Sequence, residues 1–148
     1  MLRVQQNATS VNDTFVTVQC HGYEKQRKAE LRVMTIQECY RQMGANYEDV
    51  LKRLYNEGMI CRFTLMFLND DSYPKLEQAL KEGNVKEAFR AAHTLKGVCQ
   101  NLGFTNLYQP TYDLTEVLRT GTLEGTKELF DSVTCQYKIT INAIRALQ

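Results

Sequence analysis

The stretch NVKEAFRAAHTLKGVCQNLGF, residues 84–104, has the periodicity of one long amphipathic α-helix. At about 100° per residue, its small and apolar side chains fall on one arc. These are Ala88, Ala92, Leu95, Cys99 and Leu102. Gly103 follows them, and glycine commonly stands just after the last residue of a helix. The stretch therefore predicts a helix from Val85 to Leu102 that packs one face into a core.

The same helical periodicity runs from Met34 to the end of the chain. Gly58 is expected to separate two helices, and Pro110 to kink or delay another, because proline lacks the backbone N–H. Short connections between long helices make them antiparallel neighbours. We therefore predict an all-α fold, an antiparallel up-down four-helix bundle with additional short N-terminal helices. Six of the predicted helices span residues 35–43, 47–56, 59–69, 85–102, 106–119 and 123–147. One more follows candidate N-caps at residues 70–72 and runs to Glu82.

Residues 1–33 lack this periodicity and mix Thr, Val, Asn and Gln. One weakly alternating stretch, residues 14–18, has no second strand to pair with. We expect residues 1–33 to be a poorly ordered N-terminal extension and residues 34–148 to form the helical bundle domain. A wrongly assigned start of the coding sequence would give the same pattern, so whether the extension is native stays open.

The composition of the 148 residues argues against several classes of protein. With 18 basic and 17 acidic residues the net charge is +1, so the strong basic field of a nonspecific nucleic-acid binder is missing. No run approaches the roughly 18 apolar residues of a membrane span, and no secretory signal is visible. The five cysteines are scattered, without paired Cys/His spacing. We expect a reduced cytoplasmic protein with no nucleic-acid, membrane or metal ligand.

His93 lies on the flank of the predicted Val85–Leu102 helix, away from the buried arc. The surface around it carries Lys86, Arg90, Lys96, Gly97 and Gln100. An exposed imidazole is partly neutral near neutral pH and can act as a nucleophile. The neighbouring cations would stabilise a strongly negative group on the ring, such as a phosphoryl group. Glu87, the helix's only carboxylate, points away, which argues against general acid/base chemistry.

A lone histidine on a helix is most often a solvated surface group or a satisfied core group. Gly97 strengthens the functional interpretation, because a glycine inside a helix costs roughly 0.5–1 kcal/mol relative to alanine. Two explanations for this glycine stay open: close approach by another molecule, or close packing of a neighbouring helix.

The segment Ala92-His93-Thr94-Leu95-Lys96-Gly97, followed by Gly103 and Phe104, resembles the signature of histidine-containing phosphotransfer (HPt) domains. The lead-in at residues 83–88 and the leucines 107, 114 and 118 resemble that family too. The resemblance implies a four-helix bundle in which His93 accepts a phosphoryl group from a receiver-domain aspartate and passes it to another receiver. It further implies that Lys96 stabilises the phosphoryl group and that Gly97 gives the receiver clearance.

The partners implied by the resemblance are receiver domains of response regulators or hybrid sensor kinases. We expect the chain itself to be a monomer. Gln100, Lys86 and Arg90 are the expected binding residues around the histidine. The resemblance also implies that the receiver supplies the metal and the reactive carboxylate, so no cofactor is expected here. It implies further that the domain has no ATP site and no autokinase activity. The docking surface should be an apolar patch that includes parts of helix 59–69. Phe63, Met66 and Phe67 are nevertheless expected to face the core.

The sequence departs from the family pattern at the position 22 residues after His93. Many members carry glutamate or glutamine there to orient the imidazole, whereas this chain has Thr115 with Glu116 beside it. Either residue is a candidate to orient the ring. The departure also keeps an alternative open, a non-catalytic helical interaction module with the HPt fold. A helical metal or redox enzyme is weakly supported, because no cysteine has a visible activating partner.

Overall fold

The computed structural model describes residues 33–147, and these residues form seven α-helices with no β-strand. The helices are α1 (Ile36–Gln42), α2 (Tyr47–Leu54), α3 (Glu57–Met66), α4 (Ser72–Lys81), α5 (Val85–Leu102), α6 (Thr105–Arg119) and α7 (Thr126–Arg145), with one 3-10 turn at Phe67–Asn69. The predicted N-terminal extension lies outside the described residues, apart from its last residue. None of the described helices is both long and apolar enough to cross a membrane.

Helices α4 to α7 form an antiparallel bundle in which each helix packs against the next. The predicted bounds of α5 are confirmed: the Asn84 side chain accepts a hydrogen bond from the Glu87 N–H (3.2 Å), and Gly103 ends the helix at φ 69°. Between α4 and α7, the rings of Tyr73 and Tyr137 stack with their centroids 3.8 Å apart. The all-α bundle predicted from periodicity is therefore correct.

The three short helices α1 to α3 pack at the end of the bundle where α5 turns into α6. The buried Tyr40 hydroxyl donates a hydrogen bond to the Leu102 carbonyl (2.8 Å), and the Asn46 N–H donates to the Gly103 carbonyl (2.7 Å). Burial raises the pKa of Tyr40 to about 12, which keeps this donor protonated. These bonds fix the C-terminal end of α5.

The chain differs from the sequence predictions at Gly58 and Pro110. Gly58 lies inside the first turn of α3, and the break falls at Tyr55 (φ 55°), followed by Asn56, whose side chain caps the Met59 N–H (3.1 Å). A late start at Pro110 is also wrong, because α6 begins at Thr105 and continues through the proline. Pro110 removes only one backbone bond, and the buried Leu107 and Leu114 anchor the helix on both sides of it.

The core prediction for the end of α3 is only partly correct. Phe67 is buried and Phe63 is half-buried, but 55% of Met66 is exposed, so its assignment to the core is wrong. Met66 is the last residue of α3, where the chain tightens into the 3-10 turn, and the side chain points into an open groove between α3 and α5. At about 100° per residue Met66 already lies well away from the arc of Ile60, Thr64 and Phe67, so regular helical geometry exposes it.

Candidate functional site

His93 lies in the middle of α5, and its side chain is exposed. The opposite face of the helix is buried as predicted, with Ala88, Ala92, Leu95, Cys99 and Leu102 in the core. The imidazole packs beside Phe89, one turn earlier, with the ring centroids 5.9 Å apart. Within residues 33–147 no side chain is hydrogen-bonded to the imidazole. Its nitrogens are therefore accessible to an incoming electrophile.

Lys96 lies one turn after His93 on the same surface of α5. Its side chain is half-buried, and its ammonium nitrogen lies 5.5 Å from the centroid of the Tyr112 ring on α6. No carboxylate among the described residues pairs with it. Lys96 therefore keeps a full positive charge next to the histidine.

A second cation reaches the histidine from the neighbouring helix. The guanidinium carbon of Arg119, at the end of α6, lies 5.3 Å from the centroid of the Phe89 ring. An open cleft of about 540 Å³ joins these side chains. It is lined by Phe89, Arg90, His93, Thr94 and Arg119.

Sequence reasoning missed Arg119 because a projection of α5 alone cannot show side chains of α6. The register between the antiparallel helices α5 and α6 determines which side chains of α6 lie near His93. Arg119 comes four residues after Thr115, and Phe89 comes four residues before His93. Once Thr115 is aligned with His93, the same register places Lys96 opposite Tyr112 and Phe89 opposite Arg119. The observed contacts of both pairs follow this register.

The other predicted binding residues lie around the same surface but differ in the partners that they contact. Arg90 is exposed and forms an ion pair with Glu87 (2.8 Å), so the carboxylate that was expected to point away reaches one of the cations around His93. Lys86 is exposed and has no ion pair within the described part of the chain. Gln100 is exposed too, and its carbonyl accepts a hydrogen bond from Arg53 Nη1 (2.6 Å).

Neither candidate for orienting the imidazole is hydrogen-bonded to it in this structure. Thr115 is fully buried, and its hydroxyl donates to the Thr111 carbonyl (2.7 Å). Glu116 forms an ion pair with Arg119 (3.1 Å). Phe89 is the side chain that packs directly against the ring, and it lacks the hydrogen-bonding group that the family pattern supplies.

Gly97 has open space where a side chain would be. A Cβ atom built on Gly97 would have no heavy atom within 4 Å outside its own helix. Close packing by a neighbouring helix therefore does not explain this glycine. His93, Gly97 and Asn101 follow one another at four-residue spacing, so they lie along one ridge of α5. Asn101 borders an apolar groove of about 430 Å³, which is lined in part by Phe63, Met66, Phe67, Val98 and Leu102.

The described residues place no metal-ligand cluster and no reactive thiol at this site. Among residues 33–147 there is no group of three or more His, Cys, Asp or Glu side chains that could hold a metal ion. Cys99 faces the core, and burial raises the pKa of its thiol well above the ordinary value. The accessible nucleophile of this surface is the imidazole of His93.

The comparison with protein families agrees with the geometry. The family model described as the Hpt domain matches residues 69–147, just over half of the chain, which span the four helices of the bundle. No curated protein and no solved structure matches the chain. The matched domain is a phosphotransfer module that works with receiver domains, and it is not a kinase catalytic domain. The chain therefore belongs to the Hpt domain family, the histidine phosphotransfer modules of phosphorelays.

Proposed function

We propose that His93 accepts a phosphoryl group from the aspartyl phosphate of one receiver domain and passes it to the aspartate of another. The observation that carries this proposal is an exposed imidazole with Lys96 on one side and Arg119 on the other. A ring in open solvent can meet a partner's aspartate directly. The two cations supply the countercharge that a phosphorylated ring requires.

The transfer is an in-line displacement at phosphorus. The unprotonated ring nitrogen of His93 attacks, a nitrogen–phosphorus bond forms, and the bond from phosphorus to the aspartate oxygen breaks. The receiver's carboxylate is regenerated, and the other ring nitrogen of His93 keeps its proton. Positioning and electrostatic stabilisation dominate such a step, because charge spreads over the three phosphoryl oxygens. As the family resemblance implies, the receiver provides the divalent metal.

The receiver would dock along the ridge from His93 over Gly97 to Asn101 and the apolar groove beside it. The missing side chain at Gly97 lets another backbone approach the imidazole closely. The exposed Met66 offers apolar area at the edge of the groove. Lys86 and Gln100 would contribute polar contacts at the rim. A monomer is sufficient, because His93 and both flanking cations come from one chain.

We place this transfer in the cytoplasm. The four cysteines within residues 33–147 are free, which fits a reducing compartment.

The test is incubation of the full chain with a receiver carrying a radiolabelled phosphoryl group. We expect label on the chain that is labile in acid and stable in alkali, as a phosphorus–nitrogen bond is. A receiver whose phosphorylated aspartate is replaced by alanine should transfer nothing, and neither should ATP alone. The proposal would be overturned if the chain stays unlabelled with every receiver that phosphorylates a reference Hpt domain.

A second candidate is an interaction module that binds receivers without accepting phosphate. The observation that favours it is Thr115, whose hydroxyl is bonded to the Thr111 carbonyl and not to the imidazole. Receiver binding without any label on the chain would support this second function.

A further inference from the structure

We propose that the ring of Tyr112 holds the ammonium group of Lys96 beside the imidazole, which makes Tyr112 a positioning residue for phosphoryl transfer. The inference rests on the proposed role of His93 as phosphoacceptor. Tyr112 itself is not expected to touch the phosphoryl group. It acts through Lys96.

The two side chains face each other across the α5–α6 pair. The Lys96 ammonium nitrogen lies 5.5 Å from the centre of the Tyr112 ring, within the roughly 6 Å over which a ring face attracts a cation. The Tyr108 ring packs beside Tyr112 with centroids 6.0 Å apart and limits its freedom to rotate. Tyr108 itself packs against the core. Tyr112 is 38% exposed, and the Tyr108 ring supports one side of it while the lysine lies at its face.

Lys96 differs from the two arginines around His93 in the kind of partner it has. Arg90 pairs with Glu87 and Arg119 pairs with Glu116, so a carboxylate offsets part of each charge. In residues 33–147 the partner of Lys96 is an aromatic ring, which orients the ammonium group without cancelling its charge. A long lysine side chain otherwise samples many rotamers. The ring thus lowers the entropy cost of placing a full positive charge where phosphoryl oxygens would lie.

This arrangement should affect the free energies of phosphorylated and unphosphorylated His93 differently. The ammonium group has an anion to bind only when the imidazole is phosphorylated. Holding Lys96 in place therefore favours the phosphorylated form, and the equilibrium between phosphorylated receiver and phosphorylated chain should shift towards the chain. Docking affinity does not enter this equilibrium, because both proteins are free on each side of it.

The experiment measures this equilibrium constant with a receiver whose aspartyl phosphate is long-lived. Tyr112→Leu should lower the constant about two- to five-fold, because part of the lysine's rotamer entropy is then lost only when His93 is phosphorylated. Tyr112→Phe keeps the ring and should retain the value of the unmodified chain. The same substitutions are then made in a Lys96→Met background, where Tyr112→Leu should have no further effect. Circular dichroism and thermal melting confirm that each variant is folded.

Three results would overturn the inference. Tyr112→Leu with an unchanged equilibrium constant would show that the ring does not act on the phosphorylated state. An equal loss from Tyr112→Leu in the Lys96→Met background would show that it acts by a route other than the lysine. If the unmodified chain takes up no label while a reference Hpt domain does, the role of His93 fails, and the role of Tyr112 fails with it.

Discussion

Arg119 on α6 lies over the ring of Phe89 on α5, with 5.3 Å between the guanidinium carbon and the ring centroid. Phe89 is also the ring that packs against His93. The pair therefore fixes a cation on the side of the imidazole that Lys96 does not reach. Two positive groups from two different helices flank one exposed histidine, and each lies over an aromatic ring of the other helix.

Arg119→Gln should slow phosphoryl transfer to His93 about two- to five-fold, because one exposed charge interaction with the phosphoryl group is lost. The free energy of unfolding should change by no more than about 1 kcal/mol, since the ion pair with Glu116 is exposed. A quenched time course of labelling with a phosphorylated receiver measures the rate of transfer. Arg145→Gln, an exposed arginine in the last turn of α7, is the matched control and should leave the rate unchanged. Equal transfer rates for the two variants would show that Arg119 does not contribute to phosphoryl transfer.

Gly97→Ala should stabilise the fold by about 0.5–1 kcal/mol, because alanine favours a helix and the added methyl group meets no atom. The same methyl group should weaken receiver binding by about 1 kcal/mol or more if the partner packs closely there. Urea unfolding and titration calorimetry with a receiver measure the two effects separately.

Gly103→Ala is the contrasting variant for that experiment. Gly103 has φ 69°, and a Cβ atom there would lie 2.8 Å from the Asn46 carbonyl oxygen, so the fold should lose more than about 1 kcal/mol. A Gly97→Ala protein that is less stable than the unmodified chain, or that binds the receiver equally well, would contradict the clearance role of Gly97.

The long helix α5 was predictable to the residue because its signals are local. Asn84 caps one end, Gly103 ends the other, and the apolar period between them is regular. The errors at Gly58 and Pro110 have one local cause and one tertiary cause. Gly58 suggests a boundary between two helices, but Asn56 two residues earlier is the better helix cap. The helix therefore begins directly after Asn56. Pro110 is tolerated because tertiary packing on both sides outweighs one missing hydrogen bond.

The candidate site was predictable only as far as one helix carries it. His93, Lys96 and Gly97 share a surface of α5, and helical geometry alone places them together. Arg119 and Tyr112 belong to α6, and their approach depends on the register of two packed helices, which periodicity does not specify. The pairing of Arg90 with Glu87 was also overlooked, although three-residue spacing allows it.

Thr115→Val should leave the labelling rate of His93 within about two-fold of the unmodified chain. The Thr115 hydroxyl is buried and bonded to the Thr111 carbonyl, so its removal does not alter the surroundings of the imidazole. Valine has nearly the same shape, which limits the structural change. Labelling kinetics with a phosphorylated receiver provide the measurement. A large loss of rate in a normally folded variant would show that Thr115 orients the ring during transfer.

The described cysteines should differ sharply in reactivity. Burial raises the pKa of the Cys39 thiol to about 11 and that of Cys99 further, so at pH 8 both stay protonated and shielded. Cys135 is exposed on α7 and should be alkylated first. Peptide mass spectrometry after a short iodoacetamide pulse on the native protein reads out each site. Early modification of Cys99 would mean that α5 does not pack as described.

The most direct measurement of the central claim is the position of the transferred phosphoryl group. The chain has two histidines, His21 and His93, so His93→Gln and His21→Gln form a matched pair. After incubation with a phosphorylated receiver, we expect the His21→Gln protein to carry the acid-labile label at His93. The His93→Gln protein should carry none and keep its full helical circular dichroism. Label on the His93→Gln protein, or unfolding of that variant, would contradict the assignment of His93 as the exposed phosphoacceptor.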